Sequence, residues 1–165
     1  MNNAFYHLSE TLLDTITEDF NDIFKNINGN PSVLIPSAGD GVIADHLKQK
    51  AKTSYRKAEI DCIEEDPCLA KALETKGYPV VHNDFLFFRT YKRYDIIFLN
   101  PPESYFGHRR QHRKAEILFH YKGVGYLLLP PPFAKIFFGS MRYVFAPCSN
   151  AYPSPWISVC LCTLS

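Results

Sequence analysis

Between residues 33 and 102, short apolar runs alternate with segments of helical period, and each apolar run stops on residues that break a strand. "SVLIP", "AEIDCIEED", "YPVVHNDFLFF" and "YDIIFL" read as strands. "GVIADHLKQK" reads as a helix with Val42, Ile43 and Leu47 inward, and "PCLAKALETKG" as a second helix. The second helix has its own punctuation: Asp66 as N-cap, Pro67 at the first helical position and Gly77 at the close. Strand-helix alternation of this kind implies parallel strands joined by right-handed crossovers. The expected class is therefore α/β, a Rossmann-like doubly wound sheet, mostly parallel. Such sheets bind ligands at the carboxyl ends of their strands.

The flanks extend this plan. In "FYHLSETLLDTITEDFNDIFKNING", Phe5, Leu8, Leu12, Ile16, Phe20, Ile23 and Ile27 recur three or four residues apart. Residues 1–30 are thus expected to form an N-terminal helix packing on the sheet, stopped by Gly29 and Pro31. Residues 31–165 form the remaining domain, with no linker to divide them. "HRRQHRKAEILFHYKG" reads as a helix with Ala115, Ile117, Leu118 and Tyr121 partly inward, and "VGYLLLPPP" as a fifth strand. "MRYVFAP" and "PWISVCLCTL" read as strands of a C-terminal β-hairpin.

A chain of 165 residues with 46% hydrophobic and 21% charged residues has enough apolar surface for one packed core. Its formal net charge of +1 exerts no global pull toward nucleic acid or membrane, so such contacts require a local patch. No apolar run approaches a bilayer span, and "MNNAFYHLSE" lacks the regions of a signal peptide. The expectation is a soluble, cytoplasmic protein with no membrane partner. The 5 cysteines are odd in number and lack zinc-knuckle spacing; they read as small buried hydrophobes, with no metal site expected.

Chemistry concentrates where the strands stop. In "IPSAGDG", Gly39 and Gly41 allow positive φ and a close backbone approach at the start of a helix. "CIEED" brings Glu64, Glu65 and Asp66 to the second strand end, with Glu64 at the distance where nucleoside-binding folds hold ribose hydroxyls. "HNDFL" places Asp84 and Phe85 at the third, suited to an adenine amino group and ring or to a plain turn over a core phenylalanine. At the fourth, prolines cannot continue a ladder, so Asn100, Pro101 and Pro102 leave a rigid set of acceptors matching a planar NH₂ group.

Together these stretches resemble the class I S-adenosylmethionine-dependent methyltransferases, and among them the adenine-specific (N-6) DNA methyltransferases with an Asn-Pro-Pro motif. Pro36, Gly39 and Gly41 match that family's Pro-x-x-Gly-x-Gly turn, which includes Ser37 and Ala38 here. Glu64 matches its ribose-holding acid, Asp84 and Phe85 its adenine pair, and Asn100, Pro101 and Pro102 its catalytic motif. The resemblance implies S-adenosylmethionine as cofactor and DNA as partner. It implies that Asn100 and the Pro101 carbonyl accept hydrogens of the target amino group and hold it in line with the methyl. A duplex target would be flipped from its stack.

Two departures stand out. Ile35 occupies the position where an acidic residue commonly precedes the first-motif proline, and Glu103 replaces the aromatic that stacks on the target base. A carboxylate cannot stack and repels phosphates. Tyr105 and Phe106 follow on the same loop as substitutes. Arg109, Arg110, Arg113 and Lys114 come next and suit phosphates around an extruded base. No separate target-recognition region is evident. Specificity is therefore low, or a specificity subunit supplies it as in restriction-modification systems, or the chain is a trimmed descendant. Asn-Pro-Pro motifs also serve RNA and protein-glutamine methyltransferases, and a non-catalytic cofactor- or DNA-binding module is the remaining alternative.

Overall fold

A computed structural model describes residues 13, 14, 17, 27–54 and 56–99, and the strand backbone of residues 119–129, 141–147 and 156–163. Its elements run β1 (Ser32–Pro36), α1 (Val42–Thr53), β2 (Glu59–Ile63), α2 (Pro67–Thr75), β3 (Val80–His82), β4 (Tyr94–Leu99), β5 (Phe119–Leu129), β6 (Met141–Pro147) and β7 (Trp156–Thr163). They form one sheet of order β3-β2-β1-β4-β5-β7-β6. The pairings from β3 through β5 are all parallel. β7 runs antiparallel to both β5 and β6, and β6–β7 forms the expected C-terminal hairpin. The chain builds outward from β1 through β2 to β3, then crosses back to place β4 on the other side of β1. The boundary between β1 and β4 is thus a topological switch point.

One face of the sheet is packed by helices. Val33 and Ile35 of β1, Ile60 and Cys62 of β2, and Ile96 and Phe98 of β4 alternate onto that face. They meet Ile43, Ala44, Leu47 and Ala51 of α1 and Leu73 of α2. Leu13, which is helical with Asp14, joins the same cluster. Thr17 lies 2.8 Å from His46 Nε2, and Asp14 pairs with Lys50 of α1 at 2.7 Å. Leu13, Asp14 and Thr17 of the N-terminal segment therefore rest on α1, and Ile27 packs against the same core; residues 1–12, 15, 16 and 18–26 lie outside the described residues.

α2 begins as its sequence dictates. Asp66 Oδ1 accepts hydrogen bonds from the Cys68 and Leu69 amides, Pro67 follows at the first helical position, and Gly77 leaves the helix at φ 84°. Two readings are corrected. The third strand is only Val80–His82: Asp84 Oδ1 accepts from Leu86 N, and Phe88 N donates to Asp84 O. That turn buries Phe85 and Phe88 and leaves Phe87 exposed, so "FLFF" is a turn and not a strand. The helix expected over "HRRQHRKAEILFHYKG" cannot reach its end, because Phe119 to Gly123 already belong to β5. β5 pairs with β4 from Phe119 onward, and that ladder overrides the local helical period. Cys62 is buried as expected, whereas Cys68 is exposed.

Candidate active site

The turn leaving β1 is built from left-handed backbone. Ser37, Gly39 and Gly41 have φ of 58°, 60° and 86°. Such a turn has no ladder of its own and depends on neighbours for its hydrogen bonds. Ala38 N donates to Ile63 O at 3.0 Å, and Gly41 N donates to Ala38 O at 3.1 Å. Gly39 N donates to Glu64 Oε2 at 2.7 Å. Glu64 Oε1 accepts from Asp66 N at 3.0 Å, and Glu64 N donates to His82 O. The buried Glu64 carboxylate therefore ties the glycine turn to the β2 end, and its backbone ties β2 to β3.

Gly41 is a glycine for a packing reason as well. A Cβ at this position would lie 2.8 Å from Leu73 Cδ2 of α2. The turn rests directly on α2. Asp40 contributes twice: its Oδ1 accepts from Val42 N at 3.2 Å, and its carbonyl accepts from Lys76 Nζ at 2.7 Å. At the β3 end, His82 Nδ1 accepts from Asp84 N at 2.9 Å. Asp84 is half-buried and Phe85 buried.

Strand register gathers these groups. Pro36 is level with Ile63, and Ile63 with His82. Leu34 is level with Ile97, so two residues further on Pro36 and Leu99 share one level. Pro36, Ser37, Ala38, Gly39, Gly41, Glu64, Asp84 and Phe85 thus collect at the carboxyl edge of β1, β2 and β3. β4 delivers Leu99, the residue preceding Asn100, to that edge. Asn100, Pro101, Pro102, Glu103, Tyr105, Arg109, Arg110, Arg113 and Lys114 lie outside the described residues. Lys76 and the left-handed Ser37 carried no signal in the sequence. Lys76 meets the turn across 36 residues of chain, and serine seldom adopts positive φ.

The electrostatics of the edge are acidic. Asp40, Glu64, Glu65, Asp66 and Asp84 all lie on the loops that leave the strands. In a phosphate-binding glycine turn, free N–H groups at the helix start face the anion. Here carboxylates take two of the turn's amides: Glu64 holds Gly39 N, and Asp40 holds Val42 N. Among the described residues the edge therefore presents carboxylate oxygens beside the turn. It suits a ligand carrying hydroxyls, amino groups or positive charge.

No protein-family model and no curated protein matches the sequence. Solved structures do match in fold. A Listeria monocytogenes protein assigned to the class I S-adenosylmethionine-dependent methyltransferases aligns over 99% of this chain and 62% of its own, with a TM-score of 0.77 and 13% identity. A Pyrococcus horikoshii protein assigned as an RNA methyltransferase aligns over 96% and 87%, with a TM-score of 0.67 and 15% identity. The plantazolicin methyltransferase BpumL, solved in complex with SAH, aligns over 90% and 81%, with a TM-score of 0.65 and 11% identity. The chain thus has the fold of the class I methyltransferases and spans 62% of the length of the Listeria protein.

Proposed function

We propose that the chain binds S-adenosylmethionine and transfers its methyl group to the exocyclic amino group of adenine in DNA. One observation carries the cofactor half of this reading: the Glu64 carboxylate occupies the Gly39 amide at 2.7 Å. A dinucleotide-type turn would keep that donor for phosphate. A turn closed by a carboxylate instead presents acceptor lone pairs. Each Glu64 oxygen uses one acceptor position on a backbone amide, and a carboxylate has about four such positions in all. The positions left over fit the two hydroxyls of a ribose. The acidic edge suits a cofactor that carries a sulfonium and no phosphate.

In this reading Glu64 holds the ribose, residues Pro36 to Gly41 lie under the cofactor, and Asp84 accepts from the adenine amino group. Phe85 is buried in the β3–β4 loop beside Asp84 in sequence. The cofactor supplies an activated methyl group. Asn100, Pro101 and Pro102 follow the end of β4 and supply acceptors for the target NH₂, which keeps its nitrogen lone pair in line for attack. Tyr105 stacks on the flipped base, and Arg109, Arg110, Arg113 and Lys114 neutralise flanking phosphates. A separate specificity subunit selects the DNA sequence. RNA is the second reading for the acceptor, favoured by the fold likeness to the Pyrococcus horikoshii RNA methyltransferase.

The test has two stages. Calorimetric titration with S-adenosylhomocysteine measures cofactor binding by the wild type and by Glu64→Ala. Transfer of labelled methyl to adenine-containing DNA and RNA then identifies the acceptor, with Asn100→Ala as control. Binding that is lost in Glu64→Ala, with transfer that is lost in Asn100→Ala, supports the proposal. Equal transfer by wild type and Asn100→Ala removes Asn100 from the mechanism. Absence of binding by the wild type overturns the cofactor assignment.

A further inference from the structure

We infer that Lys76, at the far end of α2, is a positioning residue that sets the conformation of the β1–α1 glycine turn and, through it, cofactor affinity. The affinity half of this inference rests on the cofactor reading above; the conformational half does not.

One peptide unit, joining Asp40 to Gly41, meets both the backbone of the turn and Lys76. Its N–H donates to Ala38 O at 3.1 Å. Its carbonyl, on the opposite side of the same plane, accepts from Lys76 Nζ at 2.7 Å. The unit is therefore held at both ends. Rotation of this unit turns ψ of Asp40 and φ of Gly41, and Gly41, at φ 86°, opposes it less than any other residue type would. Such a peptide takes its orientation from its contacts. The Ala38 carbonyl supplies one and the Lys76 ammonium another.

Lys76 is itself placed. It is the C-cap of α2, where its amide donates to Ala72 O, and Gly77 then turns the chain at φ 84°. Tyr78 N donates to Leu73 O, which fixes the end of the helix against its last turn. The ammonium also pairs with Asp45 Oδ2 at 2.8 Å, and Asp45 Oδ1 accepts from Tyr78 OH at 2.7 Å. Lys48 lies over the Tyr78 ring, 4.9 Å from its centroid. One cation thus joins the turn, the first turn of α1 and the end of α2. Leu73 completes the backing: a Cβ at Gly41 would come within 2.8 Å of its Cδ2. None of these groups belongs to the residues assigned to ribose, adenine or substrate.

Removing the cation takes one donor from the Asp40 carbonyl and loosens the hold on the 40–41 peptide. The decisive experiment compares wild type, Lys76→Met and Lys76→Arg by amide hydrogen exchange in the ligand-free protein, with S-adenosylhomocysteine titration and thermal midpoints alongside. The inference expects the Gly41 amide to exchange about tenfold faster in Lys76→Met, with core amides of β1 and β4 unchanged and near-wild-type exchange in Lys76→Arg. It expects S-adenosylhomocysteine binding to weaken about three- to tenfold in Lys76→Met and to recover in Lys76→Arg, a modest range because the pair is half-exposed. Unchanged exchange at Gly41 in a folded Lys76→Met protein overturns the inference. So does faster exchange spread evenly over the whole sheet, which marks only a loss of global stability. A wild type that binds no S-adenosylhomocysteine overturns the cofactor reading, and the exchange measurement still decides the role of Lys76.

Discussion

Glu64 Oε2 and the Gly39 amide lie 2.7 Å apart, so a buried side chain at the end of β2 closes the turn that leaves β1. The same carboxylate holds Asp66 N, the N-cap residue of α2. One acidic group therefore coordinates two loops of the candidate site. In Glu64→Ala both amides lose their acceptor, and a buried donor without a partner costs about 1–3 kcal/mol. The expected outcome is a protein destabilised by about 2 kcal/mol in denaturant unfolding, with S-adenosylhomocysteine binding reduced below detection. Glu64→Gln keeps one acceptor oxygen and should lose less stability while still losing most affinity. A Glu64→Ala protein with unchanged stability would show that the turn holds its shape without the carboxylate.

Gly41 and Leu73 make the second prediction. Alanine at 41 meets two penalties at once. The left-handed backbone at φ 86° costs a side-chain-bearing residue about 1–2 kcal/mol. The added methyl, 2.8 Å from Leu73 Cδ2, costs about 1–3 kcal/mol as overpacking. The double variant Gly41→Ala/Leu73→Ala relieves only the second. Equilibrium unfolding should therefore show a favourable coupling between the two substitutions. Strict additivity would mean that Leu73 yields freely and that only the backbone term matters.

How far the sequence revealed this architecture depends on whether the signal was local. Asp66, Pro67 and Gly77 delimit α2 because caps act through neighbouring residues, and the structure follows them. β4 ends at Leu99, just before the Asn100–Pro102 stretch. The third strand was overread because "FLFF" has strong strand propensity, while Asp84 folds it into a turn by side-chain and backbone hydrogen bonds. The start of β5 departs from the helical period of its sequence because its ladder to β4 comes from a distant chain segment. Spacing brought Glu64 to the correct strand end. It could not show that two backbone amides share its carboxylate. The Lys76 contact with Asp40 has no local pattern at all.

Cysteine reactivity gives a third prediction, which needs no ligand. Cys62 lies in the core of β2, and burial, reinforced by the nearby carboxylates of Asp61, Glu64 and Asp45, pushes its thiol up to about 12. It is protonated and inaccessible at neutral pH. Cys68, in the first turn of α2, is exposed. Maleimide labelling followed by peptide mass spectrometry should modify Cys68 within the folded protein and Cys62 only after denaturant is added. Equal labelling of both under native conditions would place Cys62 in a region that opens readily.

The fourth prediction concerns acid. Burial pushes the Asp45 carboxyl upward. Hydrogen bonds from Lys76 and Tyr78 and the charges of Lys76 and Lys48 outweigh it, and the net position is below the ordinary value of 3.8. A carboxylate whose folded pKa lies below its unfolded one stabilises the fold above the unfolded value. That contribution disappears as pH falls through the folded value. Asp45→Asn removes the titration while keeping the size of the side chain. The stability gap between wild type and Asp45→Asn should therefore be constant from about pH 5 to 7 and narrow progressively below about pH 4. Urea unfolding at stepped pH measures that gap directly. Asp14, held low first by its hydrogen bond from Lys50, is exposed, so Asp14→Asn serves as the surface comparison. A gap that stays constant down to about pH 3 would mean that Asp45 holds Lys76 and Tyr78 equally well with its proton on.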